Sequence, residues 1–95
     1  MAAIGVLTLE LRLEDSHSLK DKRHVVKSLK DRLRQRFNVS VAEIDYHDLW
    51  QRAAVAAVTV ASDHTRAEQV LPSVEAEASA LLGRDLVDVT VEWLD

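Results

Sequence analysis

AAVAAVTVAS, residues 53–62, is the stretch on which the fold turns. Alanine is the best helix former, so propensity alone predicts a helix here. Two features outweigh it. The run is short, and its last part is Val58-Thr59-Val60, β-branched residues that suit a pleated strand. It is apolar at almost every position, whereas a strand covered on one side alternates more clearly. The segment is therefore predicted to be a strand lying in the centre of a sheet.

Working outward, VSVAEIDY (39–46) reads as a preceding strand and HDLWQR (47–52) as the connection. After residue 62, Ser62 or Asp63 can cap a helix whose stripe is Ala67, Val70, Leu71, Val74, Ala78, Leu81 and Leu82. Pro72 lies inside that run, and its missing N–H and ring clash predict a kink near residues 68–71 or a break into two helices. Gly83 fits the position just past the helix end. LVDVTVEWL (86–94) then alternates as a further strand.

Toward the N-terminus, SLKDKRHVVKSLKDRLRQRF (18–37) is predicted to be an amphipathic helix with Leu19, Val26, Leu29, Leu33 and Phe37 as its stripe. Ser18 and Asp21 form a variant of the capping box. In residues 4–13, Leu7, Leu9, Leu11 and Leu13 alternate with Thr8, Glu10 and Arg12, the period of a strand with one buried face. MAAIGVLTLELRL has no basic leader, so it is expected to be this strand and not a signal peptide.

The order is β-α-β-β-α-β. Right-handed crossovers in both β-α-β units and a hairpin between them point to one α+β domain over residues 1–95. It is a ferredoxin-like sandwich: a four-stranded antiparallel sheet with two helices on one face. Its central strands, the first and third, coincide with the two most apolar segments.

Composition narrows the chemistry. The 95 residues are 47% apolar but only 4% aromatic, so the core must be aliphatic. Cysteine is absent, which excludes disulfides, thiolate catalysis and thiolate metal sites. No apolar run nears the roughly 18 residues of a membrane helix. Histidines at 17, 24, 47 and 64 show no metal-ligand spacing, and glycines at 5 and 83 open no phosphate loop. The expectation is a cytoplasmic binding protein without catalytic residues, metal or cofactor.

Charge is the informative feature. Residues 19–37 hold eight of the chain's twelve Lys and Arg against two acids, a net of +6. The whole chain is −4, which leaves −10 on the rest. At about 100° per residue, Lys20, Arg23, Lys27, Lys30 and Arg34 fall on one arc, a ridge roughly 20 Å long. Like charges at these spacings repel. Lys20 and Arg23 also lie at the end of the helix where the macrodipole disfavours cations. Local stability therefore does not account for the ridge; polyanion binding is one reading of it, and a solvated face or a face that meets an acidic protein is the other.

The motifs SLKDKR, RFNVSVAE and DLWQRA resemble the YlxP-like family of small bacterial proteins, over essentially the whole chain. The resemblance implies a ferredoxin-like fold and a cytosolic bacterial protein. Its genes often neighbour those for translation initiation and ribosome maturation, which implies a translation-linked role by association. The implied partner is ribosomal RNA or a ribosome-associated protein, and no active site comes with the resemblance. Within DLWQRA, Trp50 and Arg52 are candidate partner contacts. The preferred reading nonetheless places Trp50 back over the hydrophobic end of the sheet, with Arg52 paired to an acid.

The open sheet face is expected to show Thr8, Glu10, Arg12, Thr90, Glu43 and Glu92, with Val6, Val41 and Val55 among them. It has no aromatic platform of the kind RNA-recognition motifs use to stack bases. Its apolar part offers a second functional class: a dimeric interaction or structural module, with the ridge meeting an acidic protein and no nucleic-acid role.

Overall fold

The computed structural model describes residues 1–94. Its elements run β1 (Ala3–Arg12), α1 (Leu19–Arg36), β2 (Ser40–Asp45), β3 (Arg52–Ala61), α2 (His64–Leu82), a short 3-10 turn (Gly83–Asp85) and β4 (Leu86–Trp93). The sheet order is β2-β3-β1-β4, with every neighbouring pair antiparallel. The alanine-rich segment is thus a strand, and with β1 it takes the two central places.

Tertiary burial overrides alanine's helix propensity. From Ala53 to Ala57 every β3 side chain is buried. On β1, Leu7, Leu9 and Leu11 face the helices and are buried, as is Leu13 just beyond the strand, as their alternation predicts. They meet Val26, Leu29 and Leu33 of α1 and Leu71, Val74 and Ala78 of α2 in one aliphatic core.

Both helix starts are capped by side chains. Ser18 Oγ accepts the Asp21 N–H at 3.0 Å, and the Asp21 carboxylate accepts the His17 N–H at 3.0 Å. The capping box thus closes one residue further out than usual. Asp63, not Ser62, caps α2 by accepting the Arg66 N–H at 2.9 Å. Gly83 follows α2 with a φ of 56°, which only glycine adopts without strain.

One expectation is narrowed and one corrected. α2 is a single helix through Pro72, so of the two expected outcomes, a kink or a break, the break does not occur. Pro72 is exposed, so the carbonyl it deprives of a donor can reach water, while Leu71 and Val74 keep the helix packed on the sheet. Val41, Val55 and Glu43 do not lie on the open face. Val41 and Val55 belong to the core, and Glu43 pairs with Val55 across the β2–β3 ladder on the helix side. The register gives the open face Ile4, Val6, Thr8 and Glu10 on β1, Ala54, Ala56, Val58 and Val60 on β3, and Asp88, Thr90 and Glu92 on β4.

Candidate nucleic-acid interface

The ridge of α1 lies on the exposed side of the helix next to β2. Lys20 and Arg23 are exposed, and neither they nor Lys30 pairs with an acid among the described residues. Lys27 is bound to Asp31 at 2.7 Å. That hydrogen bond, with the nearby charges of Lys27, Arg34 and Lys30, holds the Asp31 carboxyl below its ordinary value. Arg34 donates to the Val41 carbonyl at 2.6 Å, tying the ridge to the edge strand β2. Arg23, Val26, Lys27, Lys30, Asp31, Arg34 and Glu43 line a groove of about 330 Å³ between α1 and β2. The structure thus brings four of the five ridge cations to one concavity, with Lys20 one turn beyond.

Lys22, unremarked among the basic residues of α1, has a different place. Its side chain is 1% exposed. Nζ donates to the Tyr46 carbonyl at 2.7 Å and the His47 carbonyl at 3.1 Å, and it pairs with Glu43 Oε2 at 3.1 Å. Two of the ammonium's three N–H donors thus go to carbonyls, and its charge is met by the Glu43 carboxylate. The signal was present in the spacing: Lys22, Val26, Leu29 and Leu33 are separated by four, three and four residues, the core stripe itself.

These bonds fasten the β2–β3 connection. Gln51 Nε2 adds bonds to the carbonyls of Glu14 and Ser16, both at 3.2 Å, and the Leu13 N–H reaches the Gln51 carbonyl. Tyr46 takes a left-handed φ of 63°, with the Arg52 guanidinium 3.9 Å from its ring centroid. Arg52 also lies 3.9 Å from Glu10. Trp50 does not fold back over the sheet: it is 52% exposed beside Leu49 at 47%.

Among the described residues no group of three or more His, Cys, Asp or Glu is placed to hold a metal, and no helix is long and apolar enough to cross a membrane.

The fold is the ferredoxin-like βαββαβ class. It is shared with the de novo designed protein Foldit4, at a TM-score of 0.61 and 12% identity over 100% of this chain and 98% of that one. It is shared also with the designed ferredoxin-fold protein LFR1 1, at a TM-score of 0.51 and 13% identity over 99% of this chain and 84% of that one. SnoaB, a cofactor-independent oxygenase from Streptomyces nogalater, superimposes at a TM-score of 0.51 with 14% identity, over 99% of this chain and 91% of that one. These likenesses concern the fold alone.

The family is given by the sequence itself. Residues 4–91 match DUF503, a family of proteins of unknown function, and the chain belongs to it. It is also 34% identical to the uncharacterized protein YlxP of Bacillus subtilis strain 168, over 95% of this chain and 98% of that protein.

Proposed function

We propose that this protein acts by binding and not by catalysis, and that it associates in the cytosol with RNA, ribosomal RNA or a ribosomal particle, through the ridge of α1. The observation that carries the reading is a row of cations on a docked helix, with Lys20, Arg23 and Lys30 unpaired among the described residues, in a chain whose remainder is strongly acidic. A polyanion is drawn to that side and repelled elsewhere. Phosphate contacts of this kind confer affinity with little sequence preference. The open sheet face is a poor alternative, because Glu10, Asp88 and Glu92 line it and its β1, β3 and β4 positions among the described residues hold no aromatic side chain.

Anisotropy titration with ribosomal RNA fragments tests the reading. Reversal of Lys20, Arg23 and Lys30 to Glu should weaken binding at least ten-fold. The logarithm of affinity should fall against the logarithm of salt with a slope of roughly −2 to −4, at about 0.7–0.9 per neutralised phosphate. Unchanged affinity in the triple variant removes the proposal.

One observation favours a second reading. Ile4, Val6, Val58 and Val60 form an apolar strip on the open face, with Val60 54% exposed. A second copy could cover it, and the ridge would then serve an acidic protein.

A further inference from the structure

We infer that Trp50 is a stacking platform for an unpaired nucleobase, so that the RNA bound is a single-stranded loop or bulge and not a continuous duplex. The inference rests on the proposed ridge reading and specifies its substrate.

Three observations carry it. First, the loop is preorganised. Lys22 donates to the Tyr46 and His47 carbonyls and pairs with Glu43, Gln51 ties the loop to Glu14 and Ser16, and Arg52 packs on the Tyr46 ring. An exposed Trp on so constrained a loop is held out for contact without an ordering cost on binding. Second, the loop adjoins the ridge. Glu43 lines the groove with Arg23 and Lys27 while bonding Lys22, so the β2 wall of the groove leads directly into the fastened loop.

Third, the charges divide the two surfaces by chemistry. Asp45 at the end of β2 and Asp48 in the loop repel phosphate, and Asp48, Leu49 and Trp50 border an open recess of about 390 Å³ with Arg52, whose guanidinium is taken up by the Tyr46 ring and Glu10. A phosphate backbone therefore follows the ridge, and what reaches Trp50 is the neutral face of a base. In a duplex those faces are stacked away, whereas an unpaired base can be splayed out onto an aromatic ring. The aromatic platform missing from the sheet is thus supplied by the hairpin tip.

The test compares two RNA probes of equal nucleotide number by anisotropy: a hairpin with an eight-nucleotide single-stranded loop, and a fully paired duplex. Wild-type protein should prefer the looped probe by about ten-fold, a typical factor for one stacked base. Trp50→Ala should bind both probes at the duplex level, Trp50→Phe should keep most of the preference, and thermal melting should confirm that both variants fold. Equal binding of both probes by the wild type overturns the inference. So does a Trp50→Ala protein that keeps the preference. Ridge reversal separates the two ideas. If it abolishes binding while Trp50→Ala changes nothing, the ridge reading stands and the stacking inference falls. If it changes nothing while Trp50→Ala removes the preference, the ridge reading falls and stacking stands. Failure of the wild type to bind either probe overturns both.

Discussion

Lys22 shows how one side chain joins core to surface. A lysine on the apolar stripe of α1 would be costly to bury alone, yet three acceptors converge on its Nζ. Truncation leaves two carbonyls without their donor and Glu43 without its partner. Lys22→Ala should cost about 3–5 kcal/mol of stability, the scale for breaking a buried pair, read as a shifted denaturant midpoint. Loss below about 1 kcal/mol would contradict this account. Gly5 is equally specific. A Cβ there would lie 2.8 Å from both Leu71 Cδ1 and Trp93 Cζ3. Gly5→Ala should therefore destabilise by about 1–3 kcal/mol through overpacking, measurable by the same unfolding titration. An unchanged midpoint would mean that Trp93 and Leu71 withdraw freely.

At the scale of the element, α1 divides its circumference. Val26, Leu29 and Leu33 pack into the core, while the ridge faces away from it. Asp31 is the one acid in the groove's α1 wall, and it neutralises Lys27. Its depressed carboxyl stays ionised at neutral pH, and its stabilising contribution is lost only as acid protonates it. Protonation would also release Lys27 and add a charge to the ridge. Asp31→Asn mimics that state and should strengthen RNA binding about two- to five-fold at pH 7, by anisotropy. Weaker binding would indicate that Asp31 positions Lys27 for its contact. The edge strands are likewise defended. β2 carries an irregularity between Glu43 and Asp45, and its Val41 carbonyl is taken by Arg34. In β4, antiparallel pairing with a second copy about Thr90 would set Asp88 against Glu92. Edge-to-edge assembly is thereby disfavoured.

At the scale of the whole molecule, the remaining route to self-association is the open face. If the second reading holds, light scattering at high protein concentration should show a dimer that Val60→Asp dissolves without loss of fold. A wild-type protein that stays monomeric excludes it. The molecule's charge layout makes a companion statement: basic α1 and acidic β4 belong to opposite margins of the unit, so polyanion binding has one favoured approach.

The periodicities of residues 4–13 and 18–37 were enough to determine β1, α1 and the ridge, because a period of two or 3.6 follows from backbone geometry alone. The element order then left few topologies, and β3 was legible despite its alanines because its length and Val-Thr-Val end opposed a helix. What only the tertiary structure decided were matters of register and convergence. The parity of Val41, Val55 and Glu43 depends on which β1 residue faces which β3 residue, a long-range pairing with no local signature. The continuity of α2 through Pro72 depends on the packing of its buried face. Lys22 was visible as a stripe position but not as an anchor, because its acceptors lie more than twenty residues away on a loop that folding alone brings to it. The exposure of Trp50 was likewise a tertiary matter, since a composition rich in apolar residues cannot say which one the fold holds outward.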